Sequence, residues 1–196
     1  MSYQYLIWNL FLAWIPLGVS VMMCYFYIFF KPNALRTLLL IFLGSIWLLF
    51  YPNAPYILTD FIHLSQMKFY SGIGSYYMSF LLWYDFTMIC LFVLTGFLLG
   101  LFSLYLLHSI VQDGQGNWPG WIFVFVTLFL SSFGVYLGRF IRWNSWDLIH
   151  RPNALLESIL ASFHAHAMAF TLIFGSFLTL MYIMIYTLTF LEKNKN

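Results

Sequence analysis

The chain has 196 residues, of which 63% are hydrophobic and only 7% charged, with a formal net charge of +2. A soluble domain carries roughly a quarter charged residues, so this composition excludes a surface that faces water on all sides. The small, dispersed positive charge also excludes a nucleic-acid partner.

Mean hydropathy is +0.86. Spanning helices need about 20 mostly apolar residues, and the pattern predicts five of them. The first covers residues 5–30, with Pro16 inside it as an expected kink. It lacks a basic start, runs longer than a signal core and has no cleavage pattern after it, so it reads as a retained helix. Lys31-Pro32-Asn33 ends it, and Asn33 is placed to cap the next helix. That helix, 34–51, is short for a span but nearly all apolar, and Pro52-Asn53-Ala54-Pro55 stops it. Residues 55–67 read as a short helix at the interface, too polar to span. The Gly/Ser stretch 71–75 follows, and then the third span, 78–107.

Residues 112–117 read as the most solvent-like loop. The fourth span is 121–141. Beyond it, Ile149, Leu155, Leu156, Ile159, Leu160 and Phe163 recur at helical spacing, so 146–163 reads as an amphipathic helix in the interface. The fifth span is 165–191. The expected fold is therefore a single all-α domain over 1–196: a polytopic transmembrane bundle of about five spans with short re-entrant or interfacial helices.

KPNALRTLLL at 31–40 and RPNALLESIL at 151–160 share a basic-Pro-Asn-Ala-Leu start. The plain reading is one helix-start solution used twice, with Pro blocking the previous helix and Asn capping the next. A duplicated transporter half is the alternative. Cys24 and Cys90 lie in apolar runs and read as small buried hydrophobes. Lys31, Arg36, Lys193 and Lys195 place the C-terminus in the cytoplasm and the N-terminus outside, although Lys68, Arg139, Arg142 and Arg151 break that simple charge rule. Segments 51–77 and 139–164 are separated by two spans and so share one side.

Charged residues in apolar segments are costly and are usually paired or functional. Asp60 and His63 are three apart and share a helix face, and Asp85 enters the third span from the same side. Arg139 and Arg142 end the fourth span, followed by Trp143, Asn144, Ser145, Trp146 and Asp147. A cluster of both signs thus gathers at one interface, under Trp and Tyr. Asp60, His63 and Asp85 are the candidate acids or bases. Asn53, Tyr56, Arg139, Arg142, Trp143, Asn144, Trp146 and Asp147 are the candidate binding residues. The plain alternatives are arginines that snorkel to phosphates and an Asp85 ion-paired with one of them. One Asp-x-x-His pair does not make a metal site, and none is expected. His164 and His166 point to different faces and read as interfacial residues. No cofactor is implied.

Gly96 and Gly100, and Gly134 and Gly138, form two GxxxG patterns. Such patterns let helices approach closely, mostly within one chain and in some cases between copies of an oligomer. The strings YPNAPYILTDFIHL (51–64) and GRFIRWNSWDL (138–148), with WYD (83–85) between them, resemble the bacterial membrane family called domain of unknown function 1361. The resemblance implies a multi-pass protein of the bacterial cell membrane and supplies no activity. Three functions follow from the cluster. It would bind or process a membrane lipid or anionic amphiphile, serve a small transporter or channel subunit, or lock the helices of a structural subunit.

Overall fold

The computed structural model describes residues 3–66, 69–70 and 80–193. The Gly/Ser stretch 71–75, Lys68 and Lys195 lie outside them. The chain is an all-α bundle with five helical runs long and apolar enough to cross a membrane: Gln4–Phe29, Ala34–Ser65, Phe80–Gln115, Asn117–Ile141 and Ala165–Thr189.

Helix α1, Gln4–Phe29, continues unbroken through the buried Pro16. Helix α2, Ala34–Phe50, begins at Asn33, whose side chain accepts the backbone N–H of Arg36 at 2.7 Å. This is the cap that the sequence predicts. At about 1.5 Å per residue, however, α2 reaches only about 25 Å, less than the 30 Å hydrocarbon core of a bilayer.

Residues expected as the end of a span at 34–51 and an interfacial helix at 55–67 lie in one apolar helical run, Ala34–Ser65. Pro52 and Pro55 lack backbone N–H groups and break the α2 ladder. The chain then turns into a short helix, α3 (Asn53–Tyr56), and a 3₁₀ helix, Ile57–Gln66. This segment runs on down α1 instead of leaving the bundle. Asp60 meets Asn9, and the ring of His63 lies 4.7 Å from that of Tyr5. Tyr51, Ala54, Ile57 and Asp60 are all buried. One broken helical run, Ala34–Ser65, is therefore long and apolar enough to make a crossing.

Four glycines explain why the elbow fits. A Cβ on Gly100 would sit 2.6 Å from the Ala54 Cβ, and one on Gly96 would sit 2.8 Å from Ile57. On the opposite wall, a Cβ on Gly134 would sit 2.9 Å from Pro52, and one on Gly138 would sit 3.3 Å from the Tyr56 ring. Both GxxxG faces thus pack against residues 52–57 of the same chain.

Helix α4, Phe80–Gln115, runs parallel to α1. Tyr3 donates to Asp85, Ser103 bonds Ser20 at 3.2 Å, and Tyr27 donates to Asp113 at 2.7 Å, a nearly constant register along both helices. At mid-length the Trp47 indole donates to the Ser103 hydroxyl at 2.7 Å and ties α2 to this pair. The expected loop at 112–117 is nearly absent. α4 extends to Gln115, past the predicted end at 107, because Tyr27 and Tyr186 satisfy Asp113 and Gln112. Gly116, at φ 98°, alone makes the turn into α5, Asn117–Tyr136. That φ favours glycine, the residue without a Cβ.

A π-helical turn, Leu137–Ile141, ends the fourth run. The amphipathic segment is two pieces, α6 (Asp147–His150) and α7 (Pro152–Ala161). The recurring start motif works differently here: Pro152 is the first residue of α7, and Asn153 lies inside the helix and does not cap it. A proline at that position costs nothing, because its missing N–H would have had no helical partner. Helix α8, Ala165–Lys193, packs antiparallel on α5.

Candidate functional site

The two family-like strings meet at one end of the bundle. Asp60, on the 3₁₀ helix, is fully buried. Its Oδ2 accepts from the Asn9 side chain at 2.7 Å, and its Oδ1 accepts from Arg139 at 3.3 Å. The His63 Nε2 stands 4.0 Å from Oδ1, beyond hydrogen-bond reach. Arg139 also donates to the Thr59 carbonyl at 2.9 Å and to the Tyr56 hydroxyl at 3.3 Å. Its guanidinium lies 5.6 Å from the centre of the Tyr56 ring. A buried carboxylate and a mostly buried guanidinium are stable together only with hydrogen bonds of this kind. Arg139 is thus consumed in joining the fourth run to the elbow.

Arg142, three residues on, is different. Its backbone N–H donates to the Leu137 carbonyl, but its side chain is exposed and has no hydrogen bond or ion pair among the described residues. Its φ of 67° places it in the left-handed region, where it ends the π turn. Such a conformation costs a non-glycine residue roughly 1–2 kcal/mol, and π turns recur at functional sites.

The loop after Arg142 is fixed on both sides. Asn53 donates to the Phe50 carbonyl at 2.8 Å and to the Ser145 hydroxyl at 3.1 Å. Ser145 donates to the Leu49 carbonyl at 3.0 Å. Asp147 accepts the backbone N–H of Asn144 at 2.8 Å and closes the turn locally. Trp146 meets Trp8 of α1 edge-on, with ring centres 6.4 Å apart.

Two cavities open from this arrangement. The first, about 400 Å³, is lined by Tyr56, His63, Gly138, Arg139, Arg142 and Asn144. The second, about 630 Å³, shares Tyr56, Gly138 and Asn144 with the first. Its other walls are mainly apolar: Trp8 and Leu12 of α1, Leu48 and Leu49 of α2, Leu130 and Phe133 of α5, and Leu155 and Ile159 of α7. A charged compartment therefore lies beside an apolar one, which Trp143 also lines.

The structure brings Asn53, Tyr56, Asp60, His63, Arg139, Arg142, Trp143 and Asn144 together. Trp146 and Asp147 hold the loop and do not line either cavity. Asp85 stands apart: it accepts from the Tyr3 hydroxyl, and no ion pair joins it to either arginine among the described residues. His164 bonds the Tyr136 hydroxyl at 3.3 Å. Among the described residues, no group of three His, Cys, Asp or Glu is placed to hold a metal ion.

Sequence reasoning missed Asn9, the second ligand of Asp60, and His108, which is buried at the other end against Tyr182. Asn9 was visible as the lone amide in an apolar run, a signal of the same kind as Asp60.

These features define a polytopic helix bundle of transmembrane type, with a polar recess beside an apolar chamber. The chain belongs to the family described as Protein of unknown function (DUF1361), whose model matches residues 8–181. No curated protein and no solved structure is significantly similar to it. The matched range contains both strings that build the recess.

Proposed function

We propose that this chain is a multi-pass membrane protein that binds an anionic amphiphile, with the head at Arg142 and the apolar part in the adjoining chamber. The observation that carries this reading is the contrast between Arg139, whose guanidinium makes three hydrogen bonds, and Arg142, whose side chain has no partner among the described residues and lines a cavity adjoining an apolar one. An unpaired guanidinium in a recess is suited to a carboxylate or phosphate, which it grips through two parallel hydrogen bonds. Both Asp60 oxygens are engaged, so Asp60 positions Arg139, whereas His63 remains on the cavity wall as the group able to reach a bound head. Lys31 and Arg36 support a cytoplasmic location for the opposite end, which puts the recess on the outer side.

The test is a titration of the purified chain in neutral detergent with lysophosphatidylglycerol and with an uncharged monoacylglycerol of the same chain. The lysolipid is expected to bind better, and Arg142→Gln to weaken it by about tenfold or more, the loss of one charged hydrogen-bonded contact. Equal binding of both amphiphiles, or an Arg142→Gln variant that binds as the parent does, would sink the proposal.

A further inference from the structure

The dimensions of the apolar chamber go further and, resting on the reading above, name the kind of amphiphile. The wall contributed by the fourth run extends from Gly138 to Leu130, eight residues, or about 12 Å along the helix axis. An extended hydrocarbon chain advances roughly 1.25 Å per carbon, the projection of a 1.5 Å bond on a tetrahedral zigzag, so 12 Å accommodates about ten carbons. The chamber volume is about 630 Å³. A methylene takes up about as much space as a water molecule, roughly 30 Å³, so the volume holds about twenty of them. Twice the carbons that the length allows means two chains lying side by side.

The depth and the open face agree with this. Half of a bilayer's hydrocarbon core is about 15 Å, close to the chamber length. Leu130, at its inner end, lies near the middle of the Asn117–Ile141 run. The chamber therefore follows one leaflet from head level towards the midplane. Ser45, Leu48 and Leu130 on its rim are exposed, so the chamber opens sideways between α2 and α5. Helix α7, which has no buried residue, presents Leu155 and Ile159 beneath the opening.

We infer that the ligand is an anionic two-chain lipid of the surrounding leaflet, entering sideways between α2 and α5 with its head held at Arg142. Charge complementarity selects the head, and the chamber volume relative to its length selects the number of chains.

The experiment compares dioleoylphosphatidylglycerol with lysophosphatidylglycerol on the full chain in neutral detergent, with bound lipid counted by native mass spectrometry. The two-chain lipid is expected to bind about tenfold tighter or more. Leu130→Trp, which fills the chamber from a half-exposed position, is expected to weaken the two-chain lipid more than the lysolipid and so erase that advantage. Ser45→Phe on the α2 rim does the same from the other wall and covers the case in which the first variant misfolds. Equal affinity for the two lipids, or an advantage that survives both substitutions, overturns the two-chain inference and leaves the anionic-amphiphile reading intact. If neither lipid binds, both fall.

Discussion

Each end of the bundle gathers polar side chains among aromatic ones, and the two ends differ in what those side chains face. At the elbow end, Tyr56, His63, Arg139 and Arg142 border a cavity of about 400 Å³. At the far end, His108 of α4 is buried against α5 and α8. Its Nδ1 lies 2.7 Å from the Tyr182 hydroxyl, and the rings of Trp121 and Tyr186 stand 5.0 and 5.2 Å from its own. Its Nε2 faces Gly120, where a Cβ would come within 3.0 Å, and has no hydrogen-bond partner among the described residues. Nearby, Tyr27 bonds Asp113 and lies under Arg36, 4.6 Å from ring to guanidinium. Buried polarity that is tightly packed fixes helices, whereas polarity along a cavity, with the Arg142 side chain unpaired among the described residues, leaves something to bind. The presence of ionisable groups therefore does not mark the site. The mark is the mismatch between charges present and charges satisfied.

That division is most severely tested at Arg139. Arg139→Gln leaves the buried Asp60 with Asn9 as its remaining hydrogen-bond donor. Breaking a buried pair from one side costs roughly 3–5 kcal/mol, so this variant should show the largest loss in denaturant or thermal unfolding. Arg139→Gln combined with Asp60→Asn should recover part of it. A single variant of parental stability would mean that Arg139 does not hold the elbow.

The far end should respond more mildly. Tyr182→Phe removes the one partner of the His108 Nδ1. Leaving a buried polar atom unpaired costs about 1–3 kcal/mol, and anionic-lipid binding at the opposite end should not change. A fall in binding as large as that in Arg142→Gln would erase the distinction between the two ends.

Much of this arrangement was legible before the fold was known. Five apolar runs, the Asn33 cap and the shared side of the two strings follow from hydrophobic length, local capping chemistry and the parity of crossings. What was not legible depended on packing between distant segments. Asp60 and His63 made residues 55–67 look too polar for the bundle interior, because the partners that make Asp60 tolerable, Asn9 and Arg139, lie 51 and 79 residues away. The glycines of α4 and α5 read as helix-contact patterns, but nothing local says that an elbow with two prolines fills them. Likewise, residues 112–117 look like a loop until Tyr27 and Tyr186 satisfy Asp113 and Gln112. The WYD string drew Asp85 into the site by depth alone, whereas the Tyr3 hydroxyl holds it.

Arg142 offers the smallest expected change in stability and the sharpest separation of roles. Its side chain has no partner among the described residues, while its backbone, at φ 67°, sits where glycine would be relaxed. Arg142→Gly should therefore raise stability by about 1 kcal/mol, the relief of a left-handed residue less the extra freedom of the unfolded chain. The same variant should lose anionic-lipid binding as Arg142→Gln does. Arg142→Gln keeps the strained backbone and should show the binding loss without the stability gain. A residue kept for structure would behave in the opposite way, with stability falling when its side chain is removed. Opposite signs on the two readouts at one position would mean that the fold tolerates a strained backbone there in order to keep a cation at the mouth of the chamber.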